Sequence, residues 1–465
     1  MPVKRKTLEK GRKAKSLATK PLEGSAAFKE VDSASTGLDS KLLQDYVKEM
    51  RQVVRKGIIS GCVSIAYHKD QVVLADAVGM ADVERGTPFS FDTYCRMYCA
   101  TKPFIAIAVF RFAEDGKLDL NDRLDKYIPE FGKVLVQPEG ADAPVETKRP
   151  ILLKHLLCHC SGIAYAPDVG ETVEDESSRA YLQLQQDVQQ KRIKTLAEFA
   201  RGIARVPLSD HPGNSYWYGF SFDVLGRVLE VVGKKRLDKV LAETVFRPLG
   251  MKHTKWAVRR DELPKLAACY AHKPTWKKLY GHVKGRTPSA VRPSLVRIDG
   301  NKARDSHWLK GKECRVQSGG GFMGYLYGGL VSTVADTARF VRMLMHKGKL
   351  DDGRRFLSPS SVTALEKNRM KEGVDPVNYL GNIGTYRKNG TEYGMGGAAC
   401  TYWSIDRADE TATIWFTQHV DMPEVADMKG INTKKADLWD VLHRAVVKGS
   451  KSSNAHRSAK RARSE

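Results

Sequence analysis

The runs that read as β-strands lie near the two ends of this chain, and the long stretch between them reads as helix and loop. Residues 62–67 and 71–78 are rich in valine, isoleucine and alanine and flank the turn-like His68-Lys69-Asp70, which predicts a hairpin. Strand pattern returns only at 383–388, 398–405 and 411–418. The spacing predicts helices over 38–57, where Leu38, Leu42, Leu43, Tyr46, Val47, Met50, Val53 and Val54 recur at helical period, and from Cys99 to about Gly116. Pro103 supports the second start, because a proline in a first helical turn gives up an N–H that would have had no partner. The middle, about 120–320, offers helical pieces at 152–157, 196–203 and 222–232. Thr333-x-x-Asp336 then caps a helix over 335–345, and a last helix covers about 434–447. Strands at both ends around a helical insert predict a discontinuous α/β domain.

The chain has 465 residues, 42% hydrophobic and 28% charged, a composition that excludes global disorder and collagen-like structure. Its most apolar run, 104–113, is short and contains Arg111, so no membrane span is expected. The formal charge of +23 is concentrated at the ends: residues 1–24 hold eight Lys or Arg against Glu9 and Glu23, and residues 448–465 hold six against Glu465. Both segments lack apolar period and read as disordered basic tails. They are solvated tails, import signals, or contacts for nucleic acid or an acidic partner. The N-terminus has no apolar signal region, and eight scattered cysteines are too sparse for a disulfide scaffold, so an intracellular setting, cytoplasmic or nuclear, is expected. Cys158-His159-Cys160 has the wrong spacing for a zinc knuckle, and no metal or cofactor is expected. Gly319-x-Gly321-x-x-Gly324 follows no buried strand, so it reads as a flexible glycine loop and not a dinucleotide fingerprint; Asn389-Gly390 reads as a hairpin turn.

The chemistry-bearing candidate is Cys99-Ala100-Thr101-Lys102 at a helix start. One turn separates thiol and amine, which puts them on one face. A helix N-terminus and a neighbouring ammonium both favour thiolate over thiol, the usual route to an activated nucleophile. Taken alone, a buried structural cysteine and a solvated lysine account for the pair more often than a nucleophile does.

The surrounding stretch, Tyr94-Cys95-Arg96-Met97-Tyr98-Cys99-Ala100-Thr101-Lys102-Pro103, resembles the Phe-Arg-x-x-Ser-x-x-Lys-Pro signature of the serine β-lactamase and penicillin-binding protein family, in its class C and esterase branch. Gly79-Met80-Ala81-Asp82, Gly116-Lys117-Leu118-Asp119-Leu120, Tyr127-Ile128-Pro129-Glu130-Phe131, His155-Leu156-Leu157 with His159, Ser161 and Gly162, Pro212-Gly213, Leu225-Gly226-Arg227, Pro248-Leu249-Gly250-Met251, Gly328 to Thr333 and Gly396-Gly397 follow in the family's order. The resemblance implies an antiparallel sheet flanked by helices (about 38–118 and 330–445) with a mainly helical lobe (about 119–329), together one β-lactamase-related domain over 38–445. It places Cys99 where the family has its nucleophilic serine, Lys102 at the proton-accepting lysine, and Tyr218 at the tyrosine of the Tyr-x-Asn element. The backbone N–H groups of Cys99 and Ala398 would form the oxyanion hole. Phe220 stands where the asparagine belongs, and Met395-Gly396-Gly397 where β-lactamases have Lys-Thr-Gly, so these substrate-binding positions offer neither an amide nor a cation. Penicillin binding is therefore disfavoured. What remains is an acyl hydrolase of esterase or amidase type, or an acyltransferase, acting on a small uncharged ester, amide or thioester. The other reading is an inactive binding or regulatory protein of the same fold.

Overall fold

The computed structural model describes residues 28–137, 143–165, 176–273, 289–290, 295–299, 317–321, 329–367, 385–386, 391–420 and 437–446. The basic tails and Asn389-Gly390 lie outside these residues. A seven-stranded antiparallel sheet runs in the order Thr385–Tyr386, Glu392–Gly397, Thr401–Asp406, Thr411–Phe416, Gly61–His68, Gln71–Asp82, Thr87–Pro88. The two ends of the chain meet inside it: Val63 pairs with Phe416, Ile65 with Ile414 and His68 with Thr411.

Gly61–His68 is buried along its whole length because both faces of the sheet are covered. Its side chains alternate, as a strand requires. Val63, Ile65 and Tyr67 enter the main core, while Cys62 and Ala66 face a second cluster with Leu42, Leu43, Tyr46, Met50 and Val53 of the helix Ser40–Arg55. Leu438, Val441, Leu442 and Ala445 of the terminal helix, 438–446, complete that second layer. The buried hydroxyl of Ser64 is satisfied, sharing a hydrogen bond of 2.7 Å with Tyr46.

On the opposite face the helix Lys102–Glu114 is apolar nearly all round, with every residue from Phe104 to Phe110 buried. A helix of that kind belongs in a protein interior. Phe104 packs against Phe246 and Phe340, with ring centroids 5.7 and 4.7 Å away. Among the described residues no helix is long and apolar enough to cross a membrane.

Two features depart from the expected pattern. The strand Glu392–Gly397 falls in a gap of the sequence reading, since Glu-Tyr-Gly-Met-Gly-Gly carries little β-propensity and is held by its pairing with Thr401–Asp406. The middle of the chain also contains strands: Tyr270–His272 pairs with Leu295–Arg297 and, in parallel, with His419–Val420, in a small four-stranded sheet with Ser289–Ala290. These strands of two or three residues are too short to show a period.

Ile65 lies at the sheet centre with no exposure. Ile65→Ala is expected to cost about 2–5 kcal/mol through lost burial and a residual cavity. A clear fall in the urea midpoint checks this, measured against an exposed control such as Lys48→Ala.

Candidate active site

The backbone before Cys99 is fixed from several directions. Arg96, 1% exposed, donates to the Ala267 carbonyl at 2.6 Å and to Asp299 at 2.9 Å, and its amide N–H donates to Gln418 Oε1. The Met97 amide donates to the Leu330 carbonyl, and Cys95–Arg96 pairs with Val331–Ser332. Tyr98 then takes a left-handed φ of 46°, unusual for a bulky side chain, and the chain enters a 3₁₀ turn over Tyr98–Thr101 before the helix begins at Lys102. In a 3₁₀ turn residues three apart eclipse one another. Cys99 and Lys102 are therefore brought onto one side more closely than an α-helical start would bring them.

Cys99 is partly exposed, whereas Lys102 is 2% exposed. The Lys102 ammonium donates to the Gly320 carbonyl at 2.6 Å and sits 4.5 Å from the centre of the Tyr218 ring. The Tyr218 hydroxyl is in hydrogen-bonding contact with the Cys99 sulfur. Burial, and then the proximity of Cys99 and Tyr165, hold the Tyr218 phenol well above its ordinary range, so it remains a proton donor near neutrality. His159 stacks on Tyr218 with centroids 4.6 Å apart, and its Nδ1 accepts from the Gly219 amide at 3.4 Å. Burial and the Lys102 charge keep this imidazole well below its usual range, hence neutral. Asp223, fully buried, accepts from the Ser318 hydroxyl at 2.6 Å, and burial raises its carboxyl to about 6.

The other wall is the end of the strand Glu392–Gly397. A Cβ on Gly397 would stand 2.1 Å from the Met97 carbonyl, so only glycine lets the strand come this close to the turn. The approach brings Ala398 against Tyr98, in one cluster with Cys269, Ala271 and Ala399. Gly396, Gly397 and Ala398 keep partial exposure, while Met395 is 6% exposed and belongs to the core.

Of the residues singled out in the sequence, Cys99, Lys102 and Tyr218 come together. Phe220 does not join them: it has no exposure and packs edge-on against Tyr165 and Phe199, at 4.6 and 5.2 Å. A residue enclosed by rings offers no surface to a ligand, so its expected substrate contact is corrected to a wall behind the site. Met395 is corrected in the same way. The glycine segment also needs correction, because 317–321 is buried and close-packed instead of a flexible loop. A Cβ on Gly320 would meet Asp223 Oδ2 at 2.3 Å, and one on Gly321 the Tyr98 carbonyl at 1.9 Å.

Tyr165, His159, Asp223, Ser318 and Gly320 were not foreseen as members of the site. His159 carried a signal in its place beside Ser161 and Gly162; Asp223 carried none, being one acid in the first turn of the helix Ser221–Gly233. Among the described residues no group of three or more His, Cys, Asp or Glu side chains could hold a metal ion.

A family model described as Beta-lactamase matches residues 43–437. Protein Rv1367c of Mycobacterium tuberculosis is 28% identical over 402 residues, covering 80% of this chain and 88% of that protein. Esterase EstB of Burkholderia gladioli is 32% identical over 202 residues, 43% of this chain and 48% of EstB. Among solved structures, EstCE1, described as a hydrolase with promiscuous acyltransferase activity, superposes with a TM-score of 0.64 at 23% identity, covering 89% of this chain and all of that one.

His159 makes the molecule acid-sensitive. Its folded state resists protonation and its unfolded state does not, so its contribution to stability is complete above the unfolded value near 6.5 and is lost as pH falls below it. The loss approaches about 1.4 kcal/mol per pH unit. Urea midpoints between pH 7.5 and 5.5 are expected to fall less steeply in His159→Gln than in the parent; parallel slopes would show that the imidazole is not held neutral.

Proposed function

Because the chain belongs to the beta-lactamase family, whose model spans residues 43–437, we propose that it is an acyl hydrolase or acyltransferase working through a covalent thioester on Cys99. The observation that carries this reading is the convergence of a partly exposed thiol, a buried amine and a phenol at one helix start. The esterase named among the relatives, and the hydrolase with promiscuous acyltransferase activity among the structural neighbours, support an acyl substrate.

In the proposed reaction the Cys99 sulfur attacks as a thiolate, its proton already carried by the Lys102 ammonium, and forms a C–S bond to the carbonyl carbon. The oxyanion is held by the N–H groups of Cys99 and Ala398. Tyr218 delivers a proton to the leaving oxygen or nitrogen as that bond to carbon breaks, and is reprotonated from Lys102. Water or a second hydroxyl or amine then attacks the thioester carbon, gives its proton to the same groups, and expels the Cys99 sulfur. The amine lies against the face of the ring whose hydroxyl touches the sulfur.

The substrate we infer is small and uncharged at its acyl end. Met395 supplies no cation for a carboxylate and is itself buried, and the neighbouring walls are the rings of Tyr165, Tyr216 and Tyr218. Aromatic surfaces of this kind favour flat or apolar acyl groups.

Exposure to p-nitrophenyl butyrate is expected to add one butyryl group by intact mass, mapped to the Cys99 peptide and absent in Cys99→Ala. Tyr218→Phe is expected to slow acylation about 10²-fold, as loss of a positioned acid does. No adduct from acetyl through octanoyl esters, or an adduct unchanged in Cys99→Ala, contradicts the proposal. Cys99→Ser is expected to retain ester turnover, measured by p-nitrophenol release, because the amine and phenol are independent of the attacking atom.

A further inference from the structure

We propose that Asp223 is the positioning residue that holds the Lys102 ammonium in place beside Cys99; the inference rests on reading Cys99 as the nucleophile. Asp223 lies in the helix Ser221–Gly233 and closes against Gly320. Its Oδ1 accepts from Ser318, the Gly320 amide is a further donor to the carboxylate, and Oδ2 lies 2.3 Å from where a Gly320 Cβ would stand. The carbonyl of that same Gly320 takes the Lys102 proton donor at 2.6 Å. The buried carboxylate and the buried amine thus both meet this glycine, and the Lys102 charge acts on the carboxyl.

A carboxylate removed from water is costly unless a charge nearby compensates it. Here the compensating charge is Lys102. The reverse also holds, because among the described residues the amine is otherwise held by the Gly320 carbonyl and the faces of the Tyr218 and Tyr165 rings. Every element packed around the pair supplies a group that keeps it in register. Ser318 and Gly320 come from the glycine segment, Tyr165 faces Asp223 and Cys99, Tyr218 covers the amine, and neutral His159 backs Tyr218. An ordinary helix-capping acid would need none of this. The consequence for the site is that ionised Asp223 keeps the Lys102 amine placed beside the Cys99 sulfur.

With a folded carboxyl near 6, the arrangement is complete above that pH and is lost as pH falls through it.

The test is the rate at which iodoacetamide alkylates Cys99, followed by peptide mapping from pH 5 to 9 on the full folded chain, which requires no acyl substrate. Asp223→Asn is expected to slow Cys99 alkylation at pH 7 about tenfold, the effect of removing a neighbouring charge. The inflection near pH 6 in the parent profile is expected to vanish. Ser318→Ala, which frees the carboxylate without neutralising it, is expected to act in the same direction but less. Profiles for both variants that superimpose on the parent overturn the inference, and a superimposable Ser318→Ala profile does so if Asp223→Asn does not fold. An acyl adduct on Cys99 with unchanged alkylation would remove the role of Asp223 and leave the proposed function standing. Altered alkylation without any adduct would do the reverse.

Discussion

An amine buried to 2% exposure at the start of a helix that is apolar nearly all round is the interaction on which this site depends. Taking an ammonium out of water costs about several kcal/mol even after the protein relaxes, and the cost must be met by partners fixed in advance. Lys102 finds them in the Gly320 carbonyl, the Tyr218 ring and the field of Asp223. Those partners come from two parts of the sequence, both distant from Lys102. The site is therefore rigid for an electrostatic reason: any loosening that admits solvent or moves one partner leaves a buried charge uncompensated.

The fold provides that rigidity through its discontinuous sheet. Pairing of Gly61–His68 with Thr411–Phe416 joins the two ends of the chain and sets the register of Thr401–Asp406 and Glu392–Gly397 beyond. The last of these strands ends at Gly397, against the backbone of Met97. Arg96, clamped by Ala267, Asp299 and Gln418, holds the other side of the same turn. A turn gripped from both sides can carry the left-handed Tyr98, a conformation that stays populated only when its surroundings enforce it. The partly open thiol is the outcome, presented at the end of a packed helix and not on a free loop.

How much of this could be read from the sequence depended on whether the signal was periodic, local or tertiary. The helix Ser40–Arg55 and the hairpin Gly61–His68 with Gln71–Asp82 announce themselves by period, and Cys99, Lys102 and Tyr218 by their place in motifs. Glu392–Gly397 was missed because its glycines serve close approach and not β-propensity. The same property misled the reading of Gly319 to Gly321, where missing side chains mean dense packing against Asp223 and Tyr98 instead of mobility. Phe220 was assigned by motif position, yet the aromatic cluster around it decides where it points. Asp223 had no signature because its significance lies wholly in meeting the same glycine as Lys102, a relation that only the folded chain creates.

The central claim is that the Cys99 sulfur can form and hold an acyl bond within this cage of amine, phenol and backbone donors. A crystal structure of the protein soaked with a slowly released aryl ester tests it most directly. The account predicts electron density continuous from Cys99 Sγ into an acyl carbon, with the carbonyl oxygen between the N–H groups of Cys99 and Ala398. A free thiol, with the ester bound elsewhere or intact beside it, would contradict it.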